Sequence, residues 1–282
     1  MATVYRAQDL RLHRSVAIKM LHPALTSEVG VRRFESEVRI AAALLHPNIV
    51  GVHDCGEAGG RLYYVMNYLG GETLRARLTS VTQLHVEDAL RITEQVAEAL
   101  QYAHDQNIVH RDIKPENIML TAHRAYVVDF GLARVVDAID SERLTASGIT
   151  IGTPQYLSPE QAEACKNVGP AADQYALACT LYEMLAGEPP FTGPTATAIA
   201  MRHVLATPTP IELRRTSTPA AVQVAVMRAL RKSPAERFDD IGSFSSSLRV
   251  SLHEGGAPRP VGYGASSLLL RRMLRHLLGG PE

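Results

Sequence analysis

Residues 108–120 read IVHRDIKPENIML, and this segment is the most informative about structure in the chain. It brings a carboxylate (Asp112), an ammonium (Lys114) and a carboxamide (Asn117) into one loop between a predicted helix and a short predicted strand. The motif DFG follows at 129–131, at the end of a second short strand. An isolated Asp and Asn at this spacing would mean little, since surface loops contain many such pairs, but the whole string followed by Asp-Phe-Gly is specific.

These side chains are the groups that phosphoryl transfer requires. One carboxylate orients the attacking hydroxyl and accepts its proton, whereas a second carboxylate and an amide oxygen hold Mg²⁺ on the nucleotide phosphates. A lysine offsets the negative charge of the transferred group. The loop and the DFG motif together therefore predict a phosphoryl-transfer site.

The residues before this site, 1–70, predict a small antiparallel sheet with one helix. Residues 14–21 are rich in β-branched and apolar side chains and predict a strand. A helical pattern begins at Ser27 and ends before Pro47, because the residue before a proline avoids the helical conformation. Two further strands follow, joined by a glycine-rich hairpin at 58–60.

Residues 71–253 predict a larger, mainly helical lobe. Residues 86–104 place apolar side chains on one face, and residues 173–186 are apolar almost all round, which predicts a helix buried on every side. Further helices are predicted over 195–205, 219–231 and 241–251, and short strands over 117–120 and 125–130. The expected fold class is α+β, with a small antiparallel β-sheet lobe plus one helix and a larger mainly helical lobe.

The last residues, 254–282, predict a linker and a short amphipathic basic helix. The segment LLLRRMLRHLL, 268–278, sets leucines on one face and arginines on another, and it is too short and too charged to span a membrane. Three placements stay open for this helix: docking on the rest of the chain, binding to a partner or a membrane surface, and disorder.

The overall composition argues against several function classes. Lys plus Arg and Asp plus Glu number 29 each, and a net charge of zero argues against nucleic acid as the main partner. The three cysteines, Cys55, Cys165 and Cys179, lie far apart, so neither a disulfide framework nor a zinc site is indicated. Since the sequence shows no signal-peptide pattern and no membrane span, we expect a cytoplasmic protein.

The chain resembles the eukaryotic-type protein kinase family, and more closely its bacterial Ser/Thr branch, from Ala2 to about Leu252. The motifs that carry the resemblance occur in the family's order and spacing: VAIK (16–19), HRDIKPEN (110–117), DFG (129–131), GTPQYLSPEQA (152–162), DQYALACTLYEMLAGEPPF (173–191) and RF (237–238). The resemblance implies a two-lobed protein-kinase-like fold that transfers the γ-phosphate of ATP to Ser/Thr hydroxyls of proteins, with Mg²⁺ or Mn²⁺ as cofactor.

The resemblance also implies a role for each residue of the phosphoryl-transfer site. Asp112 is the expected catalytic base, and Asn117 and Asp129 are the expected Mg²⁺ ligands. Lys114 is expected to stabilise the transferring phosphoryl group, with Thr153 bridging Asp112 and Lys114. A lysine at this position, followed further on by Gly-Thr, indicates the Ser/Thr class rather than the tyrosine class.

For the nucleotide, the resemblance implies that Lys19 contacts the α- and β-phosphates and pairs with Glu37 on the first helix. Glu35 is the competing partner, and Glu37 is preferred because it lies nine residues before His46, where the family's glutamate lies relative to its HPN motif. The remaining contacts are assigned to Val4, Ala17 and Met119 around the adenine, Met66 as the gatekeeper, and Tyr68 and Leu69 in the hinge.

The resemblance assigns structural roles to three further residues and regulatory roles to two. Glu160 and Arg237 are expected to form a buried ion pair, and Asp173 to accept hydrogen bonds from the backbone of the HRD motif. Thr145 and Ser147 are the expected sites of trans-autophosphorylation, which would require a transient homodimer.

The family also carries a strand and a G-x-G-x-x-G turn immediately before the residues that match TVYRA. Met1 falls directly after the position of the last glycine of that turn. We therefore expect the true start to lie upstream, in an in-frame extension that carries this turn, rather than a truncated product. The main alternative function is a pseudokinase that acts as a scaffold or regulatory binding module, and a small-molecule kinase of related fold is a more distant one.

Overall fold

The computed structural model describes residues 2–21, 28–130, 153–165 and 167–254. These residues form two lobes, each with its own hydrophobic core. The smaller lobe holds a four-stranded antiparallel sheet and one helix, and the larger lobe is mainly helical. The predicted fold class is therefore confirmed.

The small lobe agrees with the prediction of strands around one helix. Its elements are β1 (Thr3–Asp9), β2 (Arg14–Met20), α1 (Glu28–Ala43), β3 (Val52–Ala58) and β4 (Arg61–Asn67), with the strands in the order β1-β2-β4-β3. The β3–β4 hairpin turns at Gly59 and Gly60, whose φ angles of 57° and 70° suit glycine. Phe34 and Val38 of α1 share the small-lobe core with Leu62 of β4.

The large lobe is built from short strands and packed helices. In chain order its elements are β5 (Glu72–Thr73), α2 (Leu74–Val81), α3 (Val86–His104), β6 (Ile118–Leu120), β7 (Ala125–Val127), α4 (Pro159–Ala162), α5 (Pro170–Ala186), α6 (Ala196–Leu205), α7 (Ala220–Ala229) and α8 (Ile241–Glu254). The strands β5, β6 and β7 form a second antiparallel sheet in that order. The elements β5, α2 and α4 are not among those that the sequence predicts one by one.

Helix α5 lies at the centre of the large lobe. Every residue from Ala172 to Ala186 is buried, including the charged ones, which is what the nearly continuous apolar sequence predicts. The helix begins at Pro170, earlier than predicted, because the fixed φ of proline suits the first helical position. It ends at Gly187, which has a φ of 86° and donates its N–H to the Glu183 carbonyl at 2.8 Å.

One predicted element is shorter in the structure, and this difference shapes the functional site. The strand predicted over 125–130 ends at Val127, because Asp129 has a φ of 67°, in the left-handed region that an extended strand excludes. The Val128 N–H donates to the Asn117 carbonyl at 3.0 Å and holds this bend against the start of β6. The bend brings Asp129 out of the sheet and next to the small lobe.

The two lobes are joined along β7 by the segment 48–50. The Val127 N–H donates to the Asn48 carbonyl at 2.8 Å, and the Val50 N–H donates to the Val127 carbonyl at 3.0 Å. The C-terminal end of α1 also packs into the large-lobe core. Since both lobes contribute to that core, the boundary at 70/71 stays a prediction.

Several predictions fall on residues outside those described. They concern Thr145 and Ser147, and the linker and helix over 255–282. Across the described ranges, no helix is long and apolar enough to cross a bilayer.

Candidate active site

Asp112, Lys114 and Asn117 form a hydrogen-bonded cluster in the loop before β6. The Lys114 ammonium lies 2.8 Å from Asp112 Oδ1, and Asn117 Nδ2 donates at 2.8 Å to both Asp112 Oδ2 and the Asp112 carbonyl. A 3₁₀ turn over Pro115–Asn117 sets this geometry, since a proline with fixed φ occupies its first position. The Asp112 carboxylate is thus held by two donors, while 40% of its side chain is exposed and can be reached by a hydroxyl.

The structure brings Asn117 and Asp129 together through the backbone of β6 and β7. Asn117 directly precedes β6 and Asp129 follows β7, and the Val128–Asn117 hydrogen bond joins the two positions. Because Asn117 uses its amide nitrogen toward Asp112, its side-chain oxygen is left without a hydrogen bond from the described residues. A carboxylate and an amide oxygen are hard ligands that suit Mg²⁺.

This donor set fits a cation that is shared with a nucleotide. Within the described part of the chain, no group of three His, Cys, Asp or Glu side chains is placed to hold a metal ion. Mg²⁺ is commonly held by one or two carboxylates, with phosphates and water as its other ligands. Asn117 and Asp129 are the described residues that would hold such a cation.

Both oxygens of the Asp129 carboxylate are contacted from the small lobe. Lys19 donates to Oδ2, and the Tyr64 hydroxyl donates to Oδ1. Only 13% of the Asp129 side chain is exposed, so these two donors compensate a largely buried charge. Burial, together with the neighbouring Asp129 carboxylate, raises the pKa of Tyr64 well above its usual value and keeps its hydroxyl a donor.

The ion pair of Lys19 differs from the prediction. Its partner is Asp129, whereas the resemblance implies Glu37. Glu37 lies half-buried on α1, and no pair between it and Lys19 occurs among the described residues. Only 13% of the Asp129 side chain is exposed, and a carboxylate that has lost most of its hydration needs an opposite charge close by. The Lys19 ammonium supplies that charge.

A carboxylate in the first turn of α5 holds the loop that carries Asp112. Asp173 Oδ2 accepts the His110 N–H at 2.8 Å, and its Oδ1 accepts the Arg111 N–H at 2.7 Å, which is the contact that the resemblance implies. Arg111 has a φ of 68°. Such a conformation costs on the order of 1–3 kcal/mol and persists only where neighbouring contacts enforce it. The buried Asp173 supplies those contacts.

A buried ion pair fastens α4 to the segment before α8. Arg237 Nη1 and Nη2 each lie 2.8 Å from one Glu160 oxygen, a bidentate geometry that the resemblance also implies. Arg237 is only 1% exposed, and it donates further to the carbonyls of Ala171, Arg231 and Lys232. Its guanidinium is thus fully engaged inside the large lobe.

A sequence model of the protein kinase domain family matches residues 1–242. The chain belongs to this family. It is similar to the serine/threonine-protein kinase PknB of Mycobacterium leprae, at 40% identity over 264 residues, which cover 92% of this chain and 42% of PknB. It is similar to PrkC of Bacillus subtilis at 38% identity over 256 residues (89% and 38% of the two chains), and to PknD of Mycobacterium tuberculosis at 38% over 257 residues (90% and 38%). The chain thus spans less than half the length of these serine/threonine-protein kinases.

The nucleotide residues assigned from the kinase family gather on one face of the small-lobe sheet. Val4, Lys19 and Tyr64 lie directly opposite one another across β1, β2 and β4, and Ala17 lies opposite Met66 in the next row of the same face. Ala17 and Met66 are buried, whereas the Val4 side chain is 56% exposed. These side chains therefore share the face of the sheet on which Lys19 contacts Asp129.

The other residues that the resemblance to kinases assigns lie outside the strands of the small-lobe sheet. Met119 lies half-buried on β6, Tyr68 is exposed after β4, and Leu69 beside it is half-buried. Thr153 makes no hydrogen bond to Asp112 or its lysine partner within the described residues, which differs from the predicted bridge. The ammonium and the carboxylate are instead in direct contact with each other.

One partly buried network of this kinase fold is not predicted from the sequence. Arg75 on α2 donates to Glu183 of α5 at 2.7 Å and to Glu116 beside Asn117 at 2.8 Å, and Tyr156 donates to Glu183. Burial, and then the Glu183 charge, raises the pKa of Tyr156 above its usual value. A signal existed, because a glutamate in a helix predicted to be buried on every side requires a partner.

Proposed function

We propose that this chain is a protein serine/threonine kinase that transfers the γ-phosphate of ATP to serine and threonine hydroxyls of proteins. The observation that carries the proposal is the Asp112 carboxylate, which is held by Lys114 and Asn117 yet open to solvent. A carboxylate in this setting can orient an incoming hydroxyl and accept its proton. The relatives named as serine/threonine-protein kinases support the same activity.

Each residue of the site has a step in this proposal. Asp112 orients the substrate hydroxyl and takes its proton, and Lys114 offsets the charge that develops on the transferred group. Lys19 binds the α- and β-phosphates. Asn117 and Asp129 would hold Mg²⁺, for which Mn²⁺ is the alternative, and the bound cation supplies charge neutralisation on the phosphates.

The test is the transfer of radiolabelled phosphate from ATP, with MgCl₂, to casein and to the chain itself. Asp112→Asn is the control, because the amide keeps the shape of the side chain and cannot accept the proton. We expect the variant to be slower by about 10²–10⁴-fold, the usual contribution of a general base. Equal rates would contradict the role of Asp112. A wild-type chain that binds ATP without any transfer would favour the pseudokinase alternative.

Autophosphorylation at Thr145 and Ser147, in a transient homodimer, is the second part of the proposal. The HRD motif supports it, since Arg111 directly precedes Asp112 and a cation there suits an incoming phosphate group. Phosphopeptide mapping of the active protein should find phosphate on at least one of the two residues. Active protein that carries phosphate on neither would contradict this part alone.

The cellular setting of the protein stays a prediction. The cytoplasmic location rests on sequence patterns, and the C-terminal helix keeps its three open placements. Microscopy of a fluorescent fusion would show the location, and cross-linking of the full chain would show whether the helix docks on the rest of the chain, binds a partner or a membrane surface, or is disordered.

A further inference from the structure

The contact between Tyr64 and Asp129 has no counterpart among the roles assigned so far. Tyr64 lies on β4 with 1% of its surface exposed, and its ring centre is 6.5 Å from that of Phe34 on α1. Its cross-strand neighbour in β2 is Lys19, so the two side chains stand side by side on one face of the sheet. Each donates to a different oxygen of the same carboxylate.

The two donors differ in their freedom to move. The Lys19 ammonium ends a flexible four-carbon stem and its side chain is 20% exposed, so it can leave Asp129 for a phosphate group. The Tyr64 hydroxyl is carried by a rigid ring packed in the small-lobe core, and Asp129 is its hydrogen-bond partner there. A carboxylate offers about four lone-pair sites, so the tyrosine contact leaves positions for a cation.

We propose that Tyr64 is a positioning residue for the metal-binding carboxylate: its hydroxyl holds Asp129 Oδ1 and so presents Oδ2 to a divalent cation once Lys19 moves to the nucleotide phosphates. This proposal rests on the proposed function, because it takes Asp129 as a cation ligand. The terminal torsion of an aspartate is broad, so an unheld carboxylate samples many orientations. A buried donor on one oxygen removes that freedom before the cation binds.

The test compares Tyr64→Phe with the wild-type full chain by equilibrium binding, which requires no turnover. A fluorescent ADP analogue is titrated in EDTA and in MgCl₂. The Kd in EDTA divided by the Kd in MgCl₂ is the ratio that measures how strongly the cation favours nucleotide binding. We expect Tyr64→Phe to lower this ratio by about tenfold, the effect of one hydrogen bond to a charged group, with the Kd in EDTA unchanged. A purely structural role would weaken binding equally under both conditions.

Three variants complete the experiment. Tyr63→Phe is the matched control, because Tyr63 lies beside Tyr64 on β4 and faces the opposite side of the sheet, and it should leave the ratio unchanged. In an Asp129→Ala background, which removes both acceptor oxygens, Tyr64→Phe should cause no further loss, since its target is already gone. Should Tyr64→Phe fail to fold, as thermal unfolding would show, Tyr64→Met supplies a flexible apolar replacement.

The outcomes separate this proposal from the proposed function. An unchanged ratio in Tyr64→Phe would overturn the positioning role, and so would a larger ratio, because the hydroxyl would then compete with the cation. Wild-type protein that binds the nucleotide with no response to MgCl₂ would contradict the proposed function itself. A ratio that falls in Tyr64→Phe and stays constant in Tyr63→Phe supports both.

Discussion

The large lobe and the small lobe hold their functional groups in different ways. In the large lobe, the Asp112 loop and helix α4 are each held by a buried polar side chain that has several partners. Asp173 receives two backbone N–H groups, and Arg237 contacts both oxygens of Glu160 as well as backbone carbonyls. Removing one of these side chains leaves several buried groups unsatisfied, so the geometry of this half is coupled to the stability of the fold.

In the small lobe, Lys19 and Tyr64 each make one side-chain hydrogen bond to the residues that the structure describes, and both bonds end on Asp129. The strand that carries Lys19 is half-buried along much of its length. A change at Lys19 costs few other contacts, so it should alter nucleotide and cation binding more than the stability of the fold. The comparison therefore predicts that stability and binding are controlled from opposite lobes.

The largest loss of stability should come from Arg237→Met. Removing one partner of a buried ion pair costs about 3–5 kcal/mol, because the other charge stays buried without compensation. Urea unfolding followed by far-ultraviolet circular dichroism would measure the loss. Arg237→Lys keeps the charge and loses the bidentate geometry. Its free energy of unfolding should lie between those of Arg237→Met and the wild type. A loss no larger than that of a surface substitution would break the comparison.

A smaller loss is expected for Asp173→Asn. The amide keeps the shape of the side chain but offers one acceptor oxygen to the two N–H groups of His110 and Arg111. Losing a hydrogen bond to a charged group costs about 1.5–3 kcal/mol, and the strained loop should lose phosphate transfer at the same time. Parallel unfolding and transfer assays would measure both. A variant that loses transfer at full stability would contradict the coupling described for this lobe.

The large lobe should also lose stability in mild acid through His203. This residue is buried on α6 and bonded to the Tyr175 hydroxyl at 2.9 Å, and burial, with the Lys232 charge, lowers the pKa of His203 to about 3. An unfolded histidine titrates near pH 6.5, so between these values the unfolded state binds the additional proton and acidification favours unfolding.

The expected contribution is up to about 1.4 kcal/mol per pH unit as the pH falls below about 6.5. Other groups titrate in the same range, so the measurement is the difference in unfolding free energy between wild type and His203→Asn across that range. The difference should shrink toward acid pH. A difference that stays constant with pH would show that His203 does not carry the effect.

The smallest change in stability is expected for Lys19→Met. The variant loses one ion pair, and the Tyr64 hydroxyl still bonds to Asp129, so we expect a loss of about 1.5 kcal/mol in the free energy of unfolding, the low end for a hydrogen bond to a charged group. Nucleotide binding in MgCl₂ should nevertheless fall below detection, because the phosphates lose the lysine ammonium that offsets their charge. Unfolding and the ADP-analogue titration would test the two statements on one sample. A loss of stability as large as that of Arg237→Met would contradict the predicted difference between the lobes.

The sequence is most informative where local signals determine the structure. Helix α3 begins and ends where its apolar periodicity predicts, over 86–104, and the hairpin forms at its glycines. The loop with Asp112, Lys114 and Asn117 is similarly local, because a proline and close spacing fix the geometry of the three side chains.

The sequence is least informative where contacts between lobes determine the structure. The partner of Lys19 is a carboxylate 110 residues further along the chain, and no pattern in the sequence reports this contact. The end of β7 depends on the left-handed φ of Asp129, which is held by a bond to a neighbouring strand. The Tyr64 hydroxyl reaches a carboxylate 65 residues further along the chain, and the apolar strand around it gives no sign of this contact.

The backbone hydrogen bond between Val128 and Asn117 fixes the two proposed cation ligands relative to each other. Both proposed ligands lie at the ends of β6 and β7. A hinge motion that separated the lobes would keep the distance between the ligands constant while it moved β2 and β4 away from them. An inhibitor bound between the lobes would therefore separate the Asp129 carboxylate from Lys19 and Tyr64. Asn117 and Asp129 would keep their positions relative to each other. A pair of fluorophores placed on β4 and β7 would register that opening in single molecules.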